Sequence, residues 1–260
     1  MIDFSRPIAI ISDVHSNLEA LTAVLADIRA LGVGAIVNLG DSVGYGPDPI
    51  PCVDILEKIC AINLCGNHDF AVLNLAEGFN PIAKAAVENV RSEMRPEEGC
   101  ADPDKIRRWR FLGNLLPMHV SGDFEFMHGS PQRPITEYVL PSDPELDPFK
   151  LDGIFQAMER TYAFVGHTHF PGVVEENNDM FIMLDELEGR TYNLSGRKAI
   201  FNVGSVGQPR DSDARACYAV LKNRQVSWRR VPYDVQKTVS KIREHPRLDT
   251  PSAARLLAGR

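Results

Sequence analysis

The sequence lacks an apolar run long enough to cross a bilayer, and Met1 to Arg6 lack the basic-then-apolar pattern of a secretory signal. Its five cysteines are odd in number and none stands in a Cys-x-x-Cys pair, which argues against a disulfide framework and a thiolate zinc site. Together these absences predict a cytoplasmic protein that does not enter the membrane.

Positive charge is outweighed by negative charge, because the chain has 28 Lys and Arg against 35 Asp and Glu residues and a formal net charge of -7. Stable nucleic-acid binding is not expected, since sequence-independent binding relies on Lys and Arg to neutralise phosphates. The basic cluster Arg107 to Arg110 fits the exposed face of a helix, with Trp109 packed inward. A small phosphorylated substrate is compatible with this charge, because bound metal ions make the local field positive. The sequence carries no signal for an oligomeric state.

The chain has no internal repeat, low-complexity stretch or linker, so we predict a single domain over residues 1–260. In the first half, short apolar strands alternate with helical segments, which is typical of parallel pairing. Residues 70–116 are interpreted as a helical insertion and residues 233–260 as C-terminal helices. Short strands between residues 173 and 231 predict a second, mostly antiparallel sheet. The fold class is therefore α/β, with two sheets packed together and helices outside.

Polar segments follow five of the apolar strands directly. They are Asp13-Val14-His15, Gly40-Asp41, Gly66-Asn67-His68-Asp69, Met127-His128-Gly129 and Gly166-His167-Thr168-His169. Five of the seven histidines lie in these segments, which is a distribution that isolated capping or surface roles do not explain. Ligands of open α/β sheets bind beyond the carboxyl ends of the strands, so we expect the five segments to converge on one site.

The residue types in these segments suit metal ions. Imidazole and carboxylate are ligands of zinc, manganese and iron. Asp13 and His15 have the spacing that places both side chains on one face of an extended strand end, and His167 and His169 have the same spacing. The two oxygens of Asp41 can bridge two ions, and ions about 3.5–4 Å apart can clamp a phosphate and activate water.

This series of motifs resembles the calcineurin-like metallophosphoesterase superfamily over residues 8–210. The resemblance implies a four-layer α/β/β/α sandwich of two mixed sheets flanked by helices. It implies a first metal held by Asp13, His15, Asp41 and His169, and a second held by Asp41, Asn67, His128 and His167. It also implies that His68 is not a ligand but contacts the phosphate and protonates the leaving oxygen. We expect Asn67 to orient the phosphate in addition to binding the second ion.

The segment after Asp41 departs from one part of that superfamily. Phosphoprotein phosphatases carry Gly-Asp-x-x-Asp-Arg-Gly, whereas here Gly44 and Tyr45 replace the Asp–Arg pair. The form Gly44-Tyr45-Gly46-Pro47 resembles the prokaryotic phosphodiesterase-like branch instead. Asp69 is then the nearest candidate to orient His68. Arg210 is a candidate phosphate contact or a solvated side chain, and Tyr45 either walls the cleft or simply packs beside the glycines.

We therefore expect a dinuclear metal-dependent phosphoesterase, acting on a small phosphate ester or nucleotide through a metal-bridging hydroxide. The two ions are expected to be divalent or trivalent manganese, iron or zinc. Phosphodiesterase activity is favoured, with phosphomonoesterase or protein phosphatase activity as the alternative. A metal-binding scaffold or sensor without catalysis is the alternative from another class, and an intact His68 argues against it.

Overall fold

The computed structural model describes residues 2–178, 180–248 and 250–260, and within these ranges the chain forms twelve strands and nine α-helices. The strands β1 to β12 are Ile8–Ile11, Ala35–Asn38, Ile62–Asn63, Met118–Ser121, Phe124–Met127, Tyr162–Val165, Gly172–Glu175, Phe181–Met183, Thr191–Asn193, Ala199–Asn202, Ala216–Lys222 and Gln225–Val231. The helices α1 to α9 are Leu18–Ala30, Pro49–Ile59, Asn67–Leu73, Pro81–Met94, Pro103–Gly113, Asp143–Leu146, Pro148–Ala157, Val235–Glu244 and Thr250–Ala258.

Both sheets are mixed and six-stranded. The first has the order β3-β2-β1-β11-β12-β9, and the second has the order β4-β5-β6-β10-β7-β8. The expectation that the C-terminal strands form their own sheet was wrong. Strands β11, β12 and β9 extend the parallel set β1 to β3, because β11 pairs antiparallel with β1. This choice of partner depends on contacts distant in sequence, which short apolar runs do not encode.

The two sheets pack face to face around the main core and carry helices on their outer faces, which confirms the predicted four-layer fold class. Strand β1 shows how its sequence fits this position, because Ile8 and Ile10 face the second sheet while Ala9 and Ile11 face α1 and α2. A strand buried on both faces needs apolar residues at every position, which explains its unbroken apolar run. That the chain is one domain over residues 1–260 stays a prediction.

Helices α3, α4 and α5 lie between β3 and β4 in the chain and pack around an apolar cluster of their own. The helical stretch predicted to residue 116 ends earlier, at Gly113, and is followed by β4. Helix α5 is tied to α2 by Asp54, whose carboxylate accepts hydrogen bonds from Arg107 at 2.6 Å and Arg108 at 2.7 Å. These ion pairs occupy two arginines of the basic cluster.

Parallel pairing brings polar segments to one edge of each sheet. Strands β1, β2 and β3 run parallel in the first sheet, and β5, β6 and β10 run parallel in the second. The carboxyl ends of β1, β2 and β3 therefore lie at one edge of the first sheet, and those of β5, β6 and β10 lie at one edge of the second. The polar segments that follow these strands meet between the two edges. None of the described helices is both long and apolar enough to cross a membrane.

Candidate metal centre

The five polar segments predicted to converge do so, and their ligand-type atoms form overlapping groups. The groups among the described residues are Asp13 with His15 and His169, His15 with Asp41 and His68, and Asp41 with His128 and His167. All of these side chains are buried. The site therefore lies where both sheets end, as the strand-end pattern predicted.

The first group surrounds one point. Nε2 of His15 lies 3.2 Å from Nε2 of His169, and Nε2 of His169 lies 3.1 Å from Oδ1 of Asp13. Oδ1 of Asp13 is buried and receives no hydrogen bond from the described residues. Two imidazole nitrogens and an unsatisfied carboxylate oxygen that face one another fit a cation between them.

The group of Asp41, His128 and His167 is the second in which imidazole and carboxylate atoms face one another. Nε2 of His128 lies 3.2 Å from Nδ1 of His167, 3.1 Å from Oδ1 of Asn67 and 3.4 Å from Oδ2 of Asp41. The same Oδ2 atom lies 3.6 Å from Nε2 of His15, so Asp41 stands between the two groups. Its other oxygen, Oδ1, accepts the backbone N–H of His68 at 2.8 Å, which fixes the carboxylate in this orientation.

The backbone is strained at the same residues. Asp13, His15, Asp41, His167 and His169 all have a positive φ, between 47° and 65°. Non-glycine residues rarely adopt this left-handed conformation, and each instance costs about 1–3 kcal/mol. Five strained residues in one cluster indicate that the fold holds these side chains inward against a local preference, which is typical of a functional site.

Three imidazoles are oriented by backbone carbonyls on the side away from the cluster. Nδ1 of His15 lies 3.2 Å from the carbonyl of Val43, Nδ1 of His169 lies 2.5 Å from that of Gln208, and Nε2 of His167 lies 3.2 Å from that of Thr136. A proton on each of these nitrogens donates to the carbonyl. The opposite nitrogen then keeps its lone pair for the cluster, as metal-binding histidines require.

Electrostatics favours ionised carboxylates and neutral imidazoles at His15 and His167, whereas His128 favours the protonated form. Burial lowers the pKa of His167 to about 3 and holds the pKa of His15 well below its usual range. Burial would raise the pKa of Asp41, but the imidazole of His128 outweighs it and holds that pKa well below its usual range. For His128 burial is likewise outweighed, because Asp41 raises its pKa to about 9. A bound cation would supply the positive charge that a proton on His128 otherwise supplies.

Two glycines make room for this arrangement. A β-carbon at Gly66 would collide with the carboxylate of Asp41, and one at Gly166 would collide with Ser12 and lie 2.6 Å from Oδ2 of Asp13. The glycines that begin the Gly66-Asn67-His68-Asp69 and Gly166-His167-Thr168-His169 segments therefore let the backbone approach the two carboxylates closely.

His68 lies beside His15 and Asp41, with which it forms the remaining group of ligand-type atoms. Its ring packs edge-on against His15 and Phe79, with centroid separations of 4.8 and 5.0 Å, and against Tyr45 at 4.6 Å. A β-carbon at Gly44 would collide with Nδ1 of His68, so this glycine is required for the position of the ring. Within the described part of the chain, Nδ1 of His68 has no hydrogen-bond partner.

Asp69 does not lie where we expected it. Its carboxylate accepts the backbone N–H groups of Gly66 at 3.1 Å and of Ser42 and Val43 at 3.3 Å each, rather than a bond from His68. Successive residues of a helix point about 100° apart, so His68 and Asp69 face different neighbours. Asp69 therefore caps α3 and ties it to the loop after Asp41, and it does not orient His68 directly.

A cleft of about 340 Å³ opens over the centre, and Asp41, Asn67, His68, His167 and His169 line its floor. Tyr45 and Arg210, which the sequence suggested as further substrate contacts, also line this cleft. Tyr45 is nearly buried, with 8% of its surface exposed. The guanidinium of Arg210 donates a hydrogen bond of 2.8 Å to Oε1 of Gln208.

Sequence reasoning missed four further residues at the cleft, which are Asn80, Tyr138, Arg255 and Arg260. Tyr138 stacks on His167 with a centroid separation of 3.7 Å and an interplanar angle of 12°. It belongs to the segment between β5 and α6, whose Pro and Asp residues are typical of turns. Arg255 and Arg260 are basic residues near the end of the chain, and their residue type does not by itself indicate where that segment docks.

Known proteins resemble this chain in sequence and structure. The sequence profile of the calcineurin-like phosphoesterase superfamily domain matches residues 7–225. The uncharacterized protein MJ0912 of Methanocaldococcus jannaschii is 34% identical over 263 residues, which cover 97% of this chain and 98% of that protein.

Two solved structures share the fold over nearly their whole length. A metallophosphoesterase from Sphaerobacter thermophilus has a TM-score of 0.83 at 34% identity, covering 98% of this chain and 99% of that one. The hypothetical protein PH1004 from Pyrococcus horikoshii OT3 has a TM-score of 0.73 at 17% identity, covering 98% of each chain. With its strand-end histidines and carboxylates in one cluster, the chain belongs to the calcineurin-like phosphoesterase superfamily.

Proposed function

We propose that this protein is a two-metal phosphodiesterase acting on a small phosphate ester or nucleotide. The observation that carries the proposal is the position of Asp41, whose Oδ2 atom faces His15 of one group and His128 of the other. A carboxylate placed in this way can be shared by two ions. The superfamily depends on two metal ions, and the donor set here fits that requirement.

The proposed ligands follow the two groups. Asp13, His15, Asp41 and His169 would hold the first ion, and Asp41, Asn67, His128 and His167 the second. Imidazole and carboxylate ligands without thiolate suit manganese, iron or zinc. Bound in this site, such ions supply Lewis acidity toward phosphoryl oxygens and lower the pKa of water, so that hydrolysis proceeds near neutral pH.

His68 is proposed as the acid of the reaction. Water adds to phosphorus and gives up one proton to solvent, the bond from phosphorus to the leaving oxygen breaks, and the protonated imidazole of His68 donates its proton to that oxygen. Burial lowers the pKa of His68 to about 4, which favours the neutral ring before substrate binds. The negative charge of a bound phosphate raises that pKa again and favours the protonated form.

The walls of the cleft suggest the other contacts. Asn67 would orient the phosphate through its side-chain amide, and the guanidinium of Arg210 would bind a phosphate oxygen. Gly44 and Tyr45 stand where phosphoprotein phosphatases carry an Asp–Arg pair, so that pair is not available for the doubly charged phosphate of a monoester. This difference supports the preference for diesters, and Tyr45 would wall the cleft.

The test compares hydrolysis of bis-p-nitrophenyl phosphate with that of p-nitrophenyl phosphate, with manganese added and then with chelator. We expect the diester to be cleaved with the higher kcat/KM and chelator to abolish the activity. A higher kcat/KM for the monoester would instead support phosphomonoesterase activity. Hydrolysis of neither compound would support a metal-binding scaffold or sensor.

A cytoplasmic location is part of the same proposal. All five cysteines lie within the described residues and are free thiols, and Cys52, Cys65 and Cys217 are buried. Burial raises the pKa of Cys52 well above its usual range, so its thiol is inert. Unpaired thiols are typical of a reducing compartment.

A further inference from the structure

The C-terminal helices extend the cleft with positive charge. Arg255, on α9, and Arg260, just after it, line the same cleft as Asp41 and His68. Both side chains are exposed to solvent there. These arginines are far in sequence from the strand-end segments, and no role in metal binding accounts for them.

Helix α8 is fixed by contacts to residues that follow the strand-end segments of the metal centre. Oγ1 of Thr238 donates a hydrogen bond of 3.1 Å to Oδ1 of Asn17, two residues after His15. Nζ of Lys241 lies 2.7 Å from carboxylate oxygens of both Glu19 and Asp48. Helix α8 therefore has a fixed position relative to the loops that end β1 and β2.

Helix α9 and the turn after it are fixed in the same way. Leu256, 4% exposed, packs with Val239 and Ile242 of α8 in one apolar cluster. The backbone N–H of Ser212 donates to the carbonyl of Gly259 at 2.8 Å, which ties the turn to the loop that follows Arg210. The arginines are thus presented by packed structure and not by a loose terminus.

The three arginines at the cleft are not neutralised. Among residues 2–178, 180–248 and 250–260, no carboxylate lies within 4.0 Å of the guanidinium of Arg210, Arg255 or Arg260. Some other arginines of this acidic chain are paired, such as Arg229, whose Nε lies 2.5 Å from Oδ2 of Asp27. Guanidinium groups left unpaired beside a phosphate-type site are suited to an anion, since they bind phosphate oxygens in a bidentate manner.

We propose that Arg255 and Arg260 bind a second phosphate group of the substrate, apart from the phosphate cleaved at the metal centre beside Arg210. This inference rests on the proposed function and narrows its substrate class to esters that carry two phosphates. The cleft volume of about 340 Å³ is in the range of small-ligand sites. Tyr138, 43% exposed and stacked on His167, offers a flat apolar surface for the group between the phosphates.

The test uses two ligands that differ by one phosphate, adenosine 5′-monophosphate and adenosine 3′,5′-bisphosphate. Each is measured as a competitive inhibitor of bis-p-nitrophenyl phosphate hydrolysis by the manganese-loaded protein. We expect the inhibition constant of the bisphosphate to be at least about tenfold lower. In the Arg255→Gln, Arg260→Gln double variant, this advantage, which is the ratio of the monophosphate's inhibition constant to that of the bisphosphate, should fall below about threefold.

Arg243→Gln is the matched control, because Arg243 is an exposed arginine on α8 that does not line the cleft, and it should keep the full advantage. Equal inhibition constants in the parent protein would overturn the inference, and so would an advantage that survives in the double variant. If bis-p-nitrophenyl phosphate is not hydrolysed, the proposed function fails on its own. Calorimetric titration then gives the dissociation constants of the same two ligands. Their ratio in the parent protein and in the double variant tests the second-phosphate site by the same criteria.

Discussion

Oδ2 of Asp41 lies 3.4 Å from Nε2 of His128, a residue contributed by the other sheet. The contact joins the loop after β2 in the first sheet to the end of β5 in the second. Asp41 is 1% exposed and His128 is fully buried, so the contact is shielded from bulk solvent. The two halves of the proposed metal centre therefore depend on each other through one carboxylate.

Replacing Asp41 should remove both ions together. In Asp41→Asn the shared oxygen loses its charge, and we expect metal content to fall from about two ions per chain to less than one. The rate with bis-p-nitrophenyl phosphate should fall at least about 100-fold, since even indirect disturbance of metal ligands costs 10- to 100-fold. Metal analysis of the purified variant checks this, with Asp27→Asn as a control distant from the centre. Full metal content at the parent rate would refute the shared-ligand scheme.

Replacing His68 should separate binding of metal from catalysis. His68→Ala is expected to keep its ions but to lose about 100- to 10,000-fold in kcat for a diester with an alkyl leaving group. The loss should be smaller for bis-p-nitrophenyl phosphate, because p-nitrophenolate departs without a proton. Because His68 also neighbours His15 and Asp41, loss of metal in this variant would mean that it is a ligand and not the acid.

Gly44 should control the position of His68. Gly44 has a φ of 101°, and its β-carbon in Gly44→Ala would displace the imidazole of His68. We expect kcat to fall at least about tenfold with metal content retained, since small displacements of catalytic groups are costly.

Gly99→Ala is the matched control, because Gly99 has a φ of 76° with nothing within 4 Å of its β-carbon. The control should lose about 1–2 kcal/mol of stability and keep its kcat. Equal kcat losses in both variants would contradict the steric explanation.

The ion pairs between α2 and α5 should stabilise the protein in a pH-dependent manner. Hydrogen bonds from Arg108 and Arg107 lower the pKa of Asp54 to about 2. Because this pKa is below its unfolded value of about 4, the stabilisation is full above pH 4 and is lost as the pH falls toward 2. Asp54→Asn should cost about 1 kcal/mol at neutral pH, since solvent screens these partly exposed groups.

Urea denaturation of the parent and of Asp54→Asn at pH 7 and at about pH 3 measures this difference. The gap in the free energy of unfolding between the parent and Asp54→Asn should narrow at the lower pH. It should also narrow in high salt at neutral pH, because screening weakens exposed ion pairs. A gap that does not change with pH would show that Asp54 acts through packing and not through its charge.

The metal centre could be predicted from sequence because its pattern is local. Asp13 and His15 follow a buried strand directly, and the order of parallel strands then brings such segments to a common edge. Each of these segments consists of residues adjacent in the chain.

The remaining features could not be predicted because they depend on distant contacts. The partner of β11 is β1, some 200 residues earlier in the chain. Arg255 reaches the cleft only because Thr238 and Lys241 dock α8 beside α1. Tyr138 belongs to a Pro-rich loop whose composition indicates turns but not the residues that it covers.

Anomalous diffraction from manganese-loaded crystals shows whether two ions share Asp41. We predict two anomalous peaks about 3.5–4 Å apart, one on each side of Oδ2 of Asp41. One peak should lie among Asp13, His15 and His169, and the other among Asn67, His128 and His167. A single peak, or two peaks that do not share Asp41, would contradict this prediction.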